Sequence, residues 1–253
     1  PLKRYCLRPT ARGPGSSVHP LQTCTETRAD MEELVFIYED VLPSLLKGLL
    51  VSIRLIIPSA LFGLLLGIII GALRVYGSSP VKKIAGGYVA FFRGFPLVVQ
   101  LFIWYFGLPH IGIYLTPFLA SVVGFSLCSS AYHSEYIRGA FLSIKKGQMS
   151  AAEALGFTKI KMISSIMLPQ AFRLALPGCG NEIIYLIKYS SLAYMITCIE
   201  LTGQGKIIAS DTFKYTEIFF IVGLVYLFLT SIASWVLHRL ENRLRLPGFE
   251  HYK

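Results

Sequence analysis

Long stretches of this chain run without a formal charge. Leu55 to Leu73 reads LIIPSALFGLLLGIIIGAL, and neither Gly94 to Ser134 nor Ile218 to His238 contains an Asp, Glu, Lys or Arg. A hydrocarbon layer of ~30 Å needs about 20 apolar residues as helix, so each run is long enough to cross one. The second is long enough for two crossings joined by a turn near Leu108 to Pro117. A further apolar segment, Leu174 to Ile199, carries Glu182 and Lys188 inside it and still reads as a span. The pattern therefore predicts five helices at about 49–73, 86–108, 115–138, 172–199 and 216–238. Ile218 to Leu237 is apolar on all faces, which a soluble amphipathic helix is not. Within the first span Ser59, Gly63, Gly67 and Gly71 form a strip of small residues that predicts close helix packing, and Pro58 beside it predicts a kink.

Composition agrees: of 253 residues, 54% are hydrophobic and 15% charged, too apolar for an ordinary soluble domain. Cys128, Cys179 and Cys198 fall in or beside the spans without metal-like spacing and read as small packing residues. His110 and His133 lack ligand partners at useful spacing and read as loop and helix-surface residues. There is no metal-ligand cluster, nucleophile elbow or GxxxxGK[ST] phosphate loop, so the chain is expected to bind neither metal nor nucleotide itself. Residues 1–30 are rich in Pro, Thr and Arg and lack an apolar run, unlike a signal peptide. They read as a disordered extension or a mistranslated upstream segment, with the working membrane domain at 31–253, starting at Met31.

Charge sets the expected orientation. With five spans, thirteen Lys and Arg fall on the side of the 145–169 loop and the C-terminus, against four on the other side from Met31 onward. The positive-inside bias puts that loop and the C-terminus in the cytoplasm and the N-terminus outside. The formal charge of +10 is then the cytosolic edge of a membrane protein facing anionic lipid, and no nucleic acid partner is implied.

The loop itself is unusual. In SAAEALGFTKIKMISSIMLPQ, Ser150 stands three residues before Glu153, a capping-box pattern that predicts a helix start. Gly156 predicts a bend and room for another backbone to approach. Ile160, Ile163, Ile166 and Met167 recur at near-helical spacing until Pro169, where the pattern is expected to break. A helix, a glycine and a second helix exposed to the cytosol form a docking element for a soluble partner.

Polar residues inside spans are costly and each invites a functional reading. Asn181, Tyr185 and Lys188 share one face of the fourth span at i, i+4 and i+7, with Glu182 and Tyr189 on the neighbouring face. Arg93 and Gln100 stand at i and i+7 in the second span, and Ser129, Ser130 and Glu135 lie on the third, where Arg138 at i+3 can pair with Glu135. Two readings stand side by side: a water-filled pathway lined by Gln100, Ser129, Ser130, Asn181, Lys188 and Ser191, or mutual ion pairs among Arg93, Glu135, Glu182 and Lys188 holding the bundle together. Arg93, Glu135, Arg138 and Glu182 are the candidates for structural or gating charges.

Four segments, in order, resemble one family. Glu153-Ala154, Gly156 and Ile166-x-Leu168-Pro169 look like the EAA loop of bacterial ABC importer permeases. FRGFPLVVQLF (92–102), SSAYHSEYIRGAF (129–141) and GNEIIYLIKYSSL (180–192) followed by Ile199-Glu200-Leu201-Thr202 resemble segments of the polar amino-acid branch, which serves histidine, glutamine, arginine and opines. The likeness spans about residues 31–249. Two departures stand out: Leu155 occupies the third position of the EAA run, and Tyr189-Ser190-Ser191 stands where Asp-Thr-Ser is usual, removing a carboxylate.

The resemblance implies an all-α integral membrane protein of the type I ABC importer kind in a bacterial cytoplasmic (inner) membrane. It implies a dimer with a second permease subunit, same or homologous, two copies of a separate ATPase holding ATP and Mg, an extracytoplasmic solute-binding protein and a polar amino-acid substrate. It assigns ATPase coupling to Ala152, Glu153, Ala154, Gly156, Leu168 and Pro169, and no catalysis to this chain. The residues alone leave a rival open, an ion-coupled carrier with a proton relay through Glu135, Glu182 and Lys188. Such carriers more often show internal repeats, and none is evident. An intramembrane enzyme would need a nucleophile and base or a metal constellation, which the sequence lacks.

Overall fold

The computed structural model describes residue 31 and residues 35–244, and every regular element among them is helical. The expectation for residues 1–30 lies outside these. Helix α1 occupies Ile37–Tyr76, opening with a wide π turn at Ile37–Val41. Then come α2 (Ser79–Gly94), α3 (Leu97–Ile111), α4 (Pro117–Ser143), α5 (Lys146–Ala154), α6 (Lys159–Ile196), α7 (Leu201–Thr212) and α8 (Tyr215–Leu244).

The bundle is built inside out relative to a soluble one. The buried face of α1 is Leu45, Gly48, Ser52, Leu55, Ser59, Gly63, Gly67 and Gly71, mostly small residues, while Leu50, Ile57, Leu61, Phe62 and Ile69 point outward. Lipid rewards bulky apolar groups outside as readily as a core does inside, so the helix-facing positions are left to residues that permit close approach. The predicted strip does this against α4: a Cβ on Gly63 would lie 3.1 Å from Ser129 Cβ, one on Gly71 3.0 Å from Ile137, and one on Gly67 would collide with His133. Helix α8 buries only Ile218 and Val222 and exposes Phe220, Leu227, Phe228 and Trp235 around its circumference.

Helix α4 is the inner element, packed on α1, α2 and α6. Its 27 residues would reach ~40 Å, yet hydropathy passes only α1 and α8 as single spans. The physical reason is its position: Ser121, Ser126, Ser129, Ser130, His133 and Ser134 are all buried by neighbouring helices. Several of these serines satisfy their hydroxyls on their own helix, as Ser121 does on Pro117 O at 2.8 Å and Ser134 on Ala131 O at 2.8 Å. His133, read from sequence as a surface residue, is fully buried, because Gly67 leaves space for its imidazole against α1. Cys128, Cys179 and Cys198 are free and buried, as packing residues should be.

Two expected spans are broken. The predicted helix at 86–108 is α2 and α3, meeting at 102° around Gly94-Phe95-Pro96. Proline at 96 disfavours helical geometry at Phe95, which has φ −102° and ψ 130°. The predicted helix at 172–199 starts earlier, at Lys159, and is followed by α7 at a bend of 53°. Pro169 does not interrupt its helix, because α6 runs through it, and α1 likewise continues through Pro58. Just before Pro169, α6 widens into a π turn at Ile163–Met167, where Leu168 N–H donates to Ile163 O. That local rewinding accommodates a residue with no N–H of its own.

Candidate functional site

The loop between α4 and α6 is an ordered structure rather than a simple link. Helix α5 begins at Lys146, four residues before Ser150, so the expected capping box does not start it. It ends in a Schellman motif: Phe157 N–H donates to Ala152 O (3.1 Å) and Gly156 N–H to Glu153 O (2.9 Å). Gly156 sits at φ +78°, a left-handed conformation that explains the glycine locally, and the space where its Cβ would be is open. Thr158 then caps α6 by accepting from Lys161 N–H.

The inner side of this loop is anchored. Ala152, Met162 and Met167 are buried with Ile137, Phe141 and Ile144 of the α4 end. Lys159 Nζ donates to Tyr76 O at 3.0 Å, answering a free carbonyl at the end of α1, and Gln170 Nε2 donates to Gln148 Oε1 at 2.8 Å. The outer side carries Glu153, Ala154, Gly156 and two bare apolar side chains, Leu155 at 77% exposure and Ile160 at 81%. Among the residues expected here, Ala152 is therefore an inward anchor while Glu153, Ala154 and Gly156 face out. Leu168 and Pro169 lie two turns on, at the start of the straight part of α6.

A second site lies at the α2–α3 break. A cavity of about 330 Å³ is lined by the chain from Phe92 to Leu97, by Cys128 and Tyr132 of α4 and by Tyr189 of α6. Opening a helix inside the bundle leaves backbone carbonyls without partners, and Gln100 answers two of them. Its Nε2 donates to Phe92 O at 3.0 Å and to Phe95 O at 2.8 Å. Gln100 is itself buried, so its visible task is to hold the break open in one geometry. Ser129 faces Gly63, and Ser130 Oγ is 2.7 Å from the Tyr88 hydroxyl, so neither joins the cavity wall.

Arg93 does line it. Its guanidinium stands 5.2 Å over the Tyr132 ring and reaches Glu135 at 3.1 Å. Glu135 also pairs with Arg138 (2.9 Å), as the i, i+3 spacing predicted, and with Arg74 of α1 (3.0 Å). Sequence reasoning placed Arg74 among loop charges because α1 was expected to end at 73; three more helical residues carry it into the cluster. Glu182 is buried and pairs with none of these arginines among the described residues, so the expected ion-pair network includes Arg93 and Glu135 but not Glu182. It is not among the residues that line the cavity.

On the outer face of α6 the expected stripe is present. Asn181, Tyr185 and Lys188 are exposed along one line, with the Lys188 ammonium 4.6 Å over the Tyr185 ring and Tyr185 stacked on Tyr189 at 5.9 Å. Ser191 turns its hydroxyl back to Lys188 O at 2.8 Å.

Sequence reasoning met the α6–α7 junction only as the resembling segment Ile199-Glu200-Leu201-Thr202 and gave Glu200 no role. Glu200 is fully buried and caps α7, accepting from Gly203 N–H on Oε1 (3.0 Å) and from Thr202 N–H on Oε2 (3.0 Å). Oε2 also accepts from Tyr226 of α8 (2.9 Å) and from Ser52 of α1 (3.2 Å), which in turn accepts from Leu201 N–H (3.1 Å). An acid directly before Leu-Thr-Gly was the available signal for an N-cap.

Comparison with known proteins sets these sites in a family. The chain is 38% identical over 205 residues to the arginine transport system permease protein ArtQ of Bacillus subtilis, covering 81% of this chain and 94% of that one. It is 36% identical over 207 residues to the glutamine transport system permease protein GlnP of Escherichia coli, again over 81% and 94%. A crystal structure of an amino acid ABC transporter with histidines superposes with a TM-score of 0.73 at 31% identity, over 90% of this chain and 100% of that chain. The MetNI methionine ABC transporter in its inward-facing form shares the fold with a TM-score of 0.72 at 18% identity. Residues 63–246 match the family described as the inner membrane component of binding-protein-dependent transport systems, and the chain belongs to that family.

Proposed function

We propose that this chain is the membrane subunit of an ATP-driven importer that carries a polar amino acid across the bacterial inner membrane. The observation that carries the reading is the cavity at the α2–α3 break. Irregular backbone at bilayer depth is tolerated where it lines a cavity, and transporters place substrate sites at such broken helices. A zwitterion needs donors for its carboxylate and acceptors for its ammonium. Arg93 and the hydroxyls of Tyr132 and Tyr189 can supply the first, and the same hydroxyls can also accept from the second. Relatives that transport arginine and glutamine, and a structural neighbour holding histidines, support a polar amino acid as the cargo class.

The exposed stripe of Asn181, Tyr185 and Lys188 cannot face lipid cheaply. A second permease copy, same or homologous, covers it and completes the pathway between the two. The positive-inside bias places the α5 end of the bundle in the cytoplasm, where Leu155 and Ile160 form the apolar surface for a separate ATPase. That partner binds ATP and Mg; this chain contributes no catalysis. Because the inner side of the loop is anchored to α1, α4 and α6, movement of the docked ATPases passes directly to the bundle, and the extracytoplasmic binding protein delivers cargo at the opposite end.

Affinity purification from native membranes of a chain starting at Met31, tagged at its C-terminus, tests this. An ATPase subunit is expected in stoichiometric amount. Gly156→Asp, which forces a charged side chain into a left-handed position on the docking face, should release it while membrane insertion persists. A single-chain oligomer with no ATPase would return the ion-coupled carrier to the front.

A further inference from the structure

One carboxylate, paired with the cavity-lining Arg93, serves three guanidiniums, and the distribution of their bonds is uneven. Glu135 Oε2 is taken by Arg138 twice, from Nε at 3.0 Å and from Nη2 at 2.9 Å. Glu135 Oε1 is shared between Arg74 Nη2 at 3.0 Å and Arg93 Nη1 at 3.1 Å. The group carries two uncompensated positive charges. Arg74 is the more enclosed of the pair on Oε1, with its side chain 15% exposed and its Nη1 buried without a hydrogen-bond partner among the described residues. Arg93 is the open one: 42% of its side chain is exposed, it holds Glu135 through a single nitrogen, and it lines the cavity.

A guanidinium presents five donors in a planar fork, and its strongest pairing is bidentate with a carboxylate. Arg93 spends one of those donors on an oxygen that Arg74 already occupies. From these distances we infer that Arg93 is the group that recognises the carboxylate of the transported amino acid, and that Glu135 is its positioning residue and its competitor. An arriving carboxylate takes Arg93 bidentately, while Arg74 and Arg138 keep Glu135 compensated. On release, Glu135 recaptures Arg93 and clears the site. This makes a shared ion pair, spanning α1, α2 and α4, the determinant of both carboxylate selectivity and turnover.

The inference rests on the amino-acid importer reading, and the test separates the two. The assembled transporter, permease with its co-purified ATPase, is placed in nanodiscs. Binding of radiolabelled L-arginine, L-glutamine and L-histidine is measured, with competition by the corresponding amino-acid carboxamides, which lack the negative charge. The wild type should prefer the free carboxylate over the carboxamide by roughly 10–100-fold, the range a charge-assisted hydrogen-bonded pair provides. Arg93→Gln should bring that ratio close to one without changing the affinity for the carboxamide. Glu135→Gln should tighten binding of the free amino acid several-fold while slowing uptake, and Glu135→Asp should restore both towards wild type.

A merely structural role for the cluster predicts instead that Arg93→Gln and Glu135→Gln weaken all probes together and leave the ratio intact, which would overturn the inference. A wild-type complex that binds none of the free amino acids would overturn the importer reading and this inference with it. A wild type that binds them with no preference over the carboxamides would overturn the inference alone.

Discussion

The two broken helices of this bundle solve opposite problems with matching chemistry. Where α2 stops, the orphaned groups are carbonyls, and a donor, Gln100, answers Phe92 O and Phe95 O. Where α7 starts, the orphaned groups are N–H, and an acceptor, Glu200, answers Thr202 and Gly203. What surrounds them differs. Glu200 is sealed by Ser52 from α1 and Tyr226 from α8, so that three helices meet on one carboxylate. Gln100 is buried as well, but the break it supports opens into a cavity beside a half-exposed arginine. A break that is closed on all sides is architecture; a break that opens into a cavity fits the proposed cargo site.

That contrast can be broken experimentally. The largest effect on stability is expected from Glu200→Ala, which leaves two buried N–H groups without their acceptor and takes one of two partners from the hydroxyls of Ser52 and Tyr226. Its cost should be about 3 kcal/mol or more, read as lost thermal stability of the detergent-solubilised protein. Uptake per surviving folded molecule should stay close to wild type. Gln100→Ala should cost less, about 1–3 kcal/mol for two unanswered carbonyls, and yet reduce uptake per folded molecule by an order of magnitude or more, because the cavity wall loses its fixed shape. Equal stability losses with equal uptake losses in the two variants would erase the distinction. The smallest effect belongs to Tyr226→Phe, which removes one of four donors to Glu200 and should cost about 1 kcal/mol with uptake unchanged. A larger loss would mean that the hydroxyl serves more than the cap.

Much of the architecture was legible in the sequence because lipid imposes a simple code. Charge-free runs marked the bundle, and the Ser59–Gly71 strip marked the face of α1 that meets α4. The Glu135–Arg138 pair followed from its spacing alone. What was hidden depended on contacts far apart in the chain. Arg74 looked like a loop charge until the helix end and α4 were brought together. His133 was read as a surface residue because it has no ligand partner at useful spacing, whereas the glycine that makes room for it inside the bundle is on another helix. The α2–α3 break was misread because Gly94-Phe95-Pro96 stands inside an apolar run whose length suggested one continuous span; the glycine and proline were the local signal, and hydropathy outweighed them. Gln100 was placed on the pathway by its position relative to Arg93, and only the bend reveals that its amide is engaged by two backbone carbonyls, one of which, Phe92 O, has Pro96 with no N–H four residues on.

The loop between α4 and α6 shows a related lesson. Its glycine invites a docking interpretation, and the Schellman geometry gives it a local reason as well. The motif turns the chain so that Leu155 and Ile160 stand outward while Ala152 stays buried, which leaves the proposed docking surface exposed.

The most direct test of the account is uptake into proteoliposomes containing this chain, its co-purified ATPase and the binding protein, with radiolabelled L-arginine, L-glutamine and L-histidine outside and ATP enclosed. The account predicts accumulation of at least one of them that requires both enclosed ATP and the binding protein and is lost in Gly156→Asp. Uptake by this chain alone, without ATP and driven by an imposed proton or sodium gradient, would contradict it.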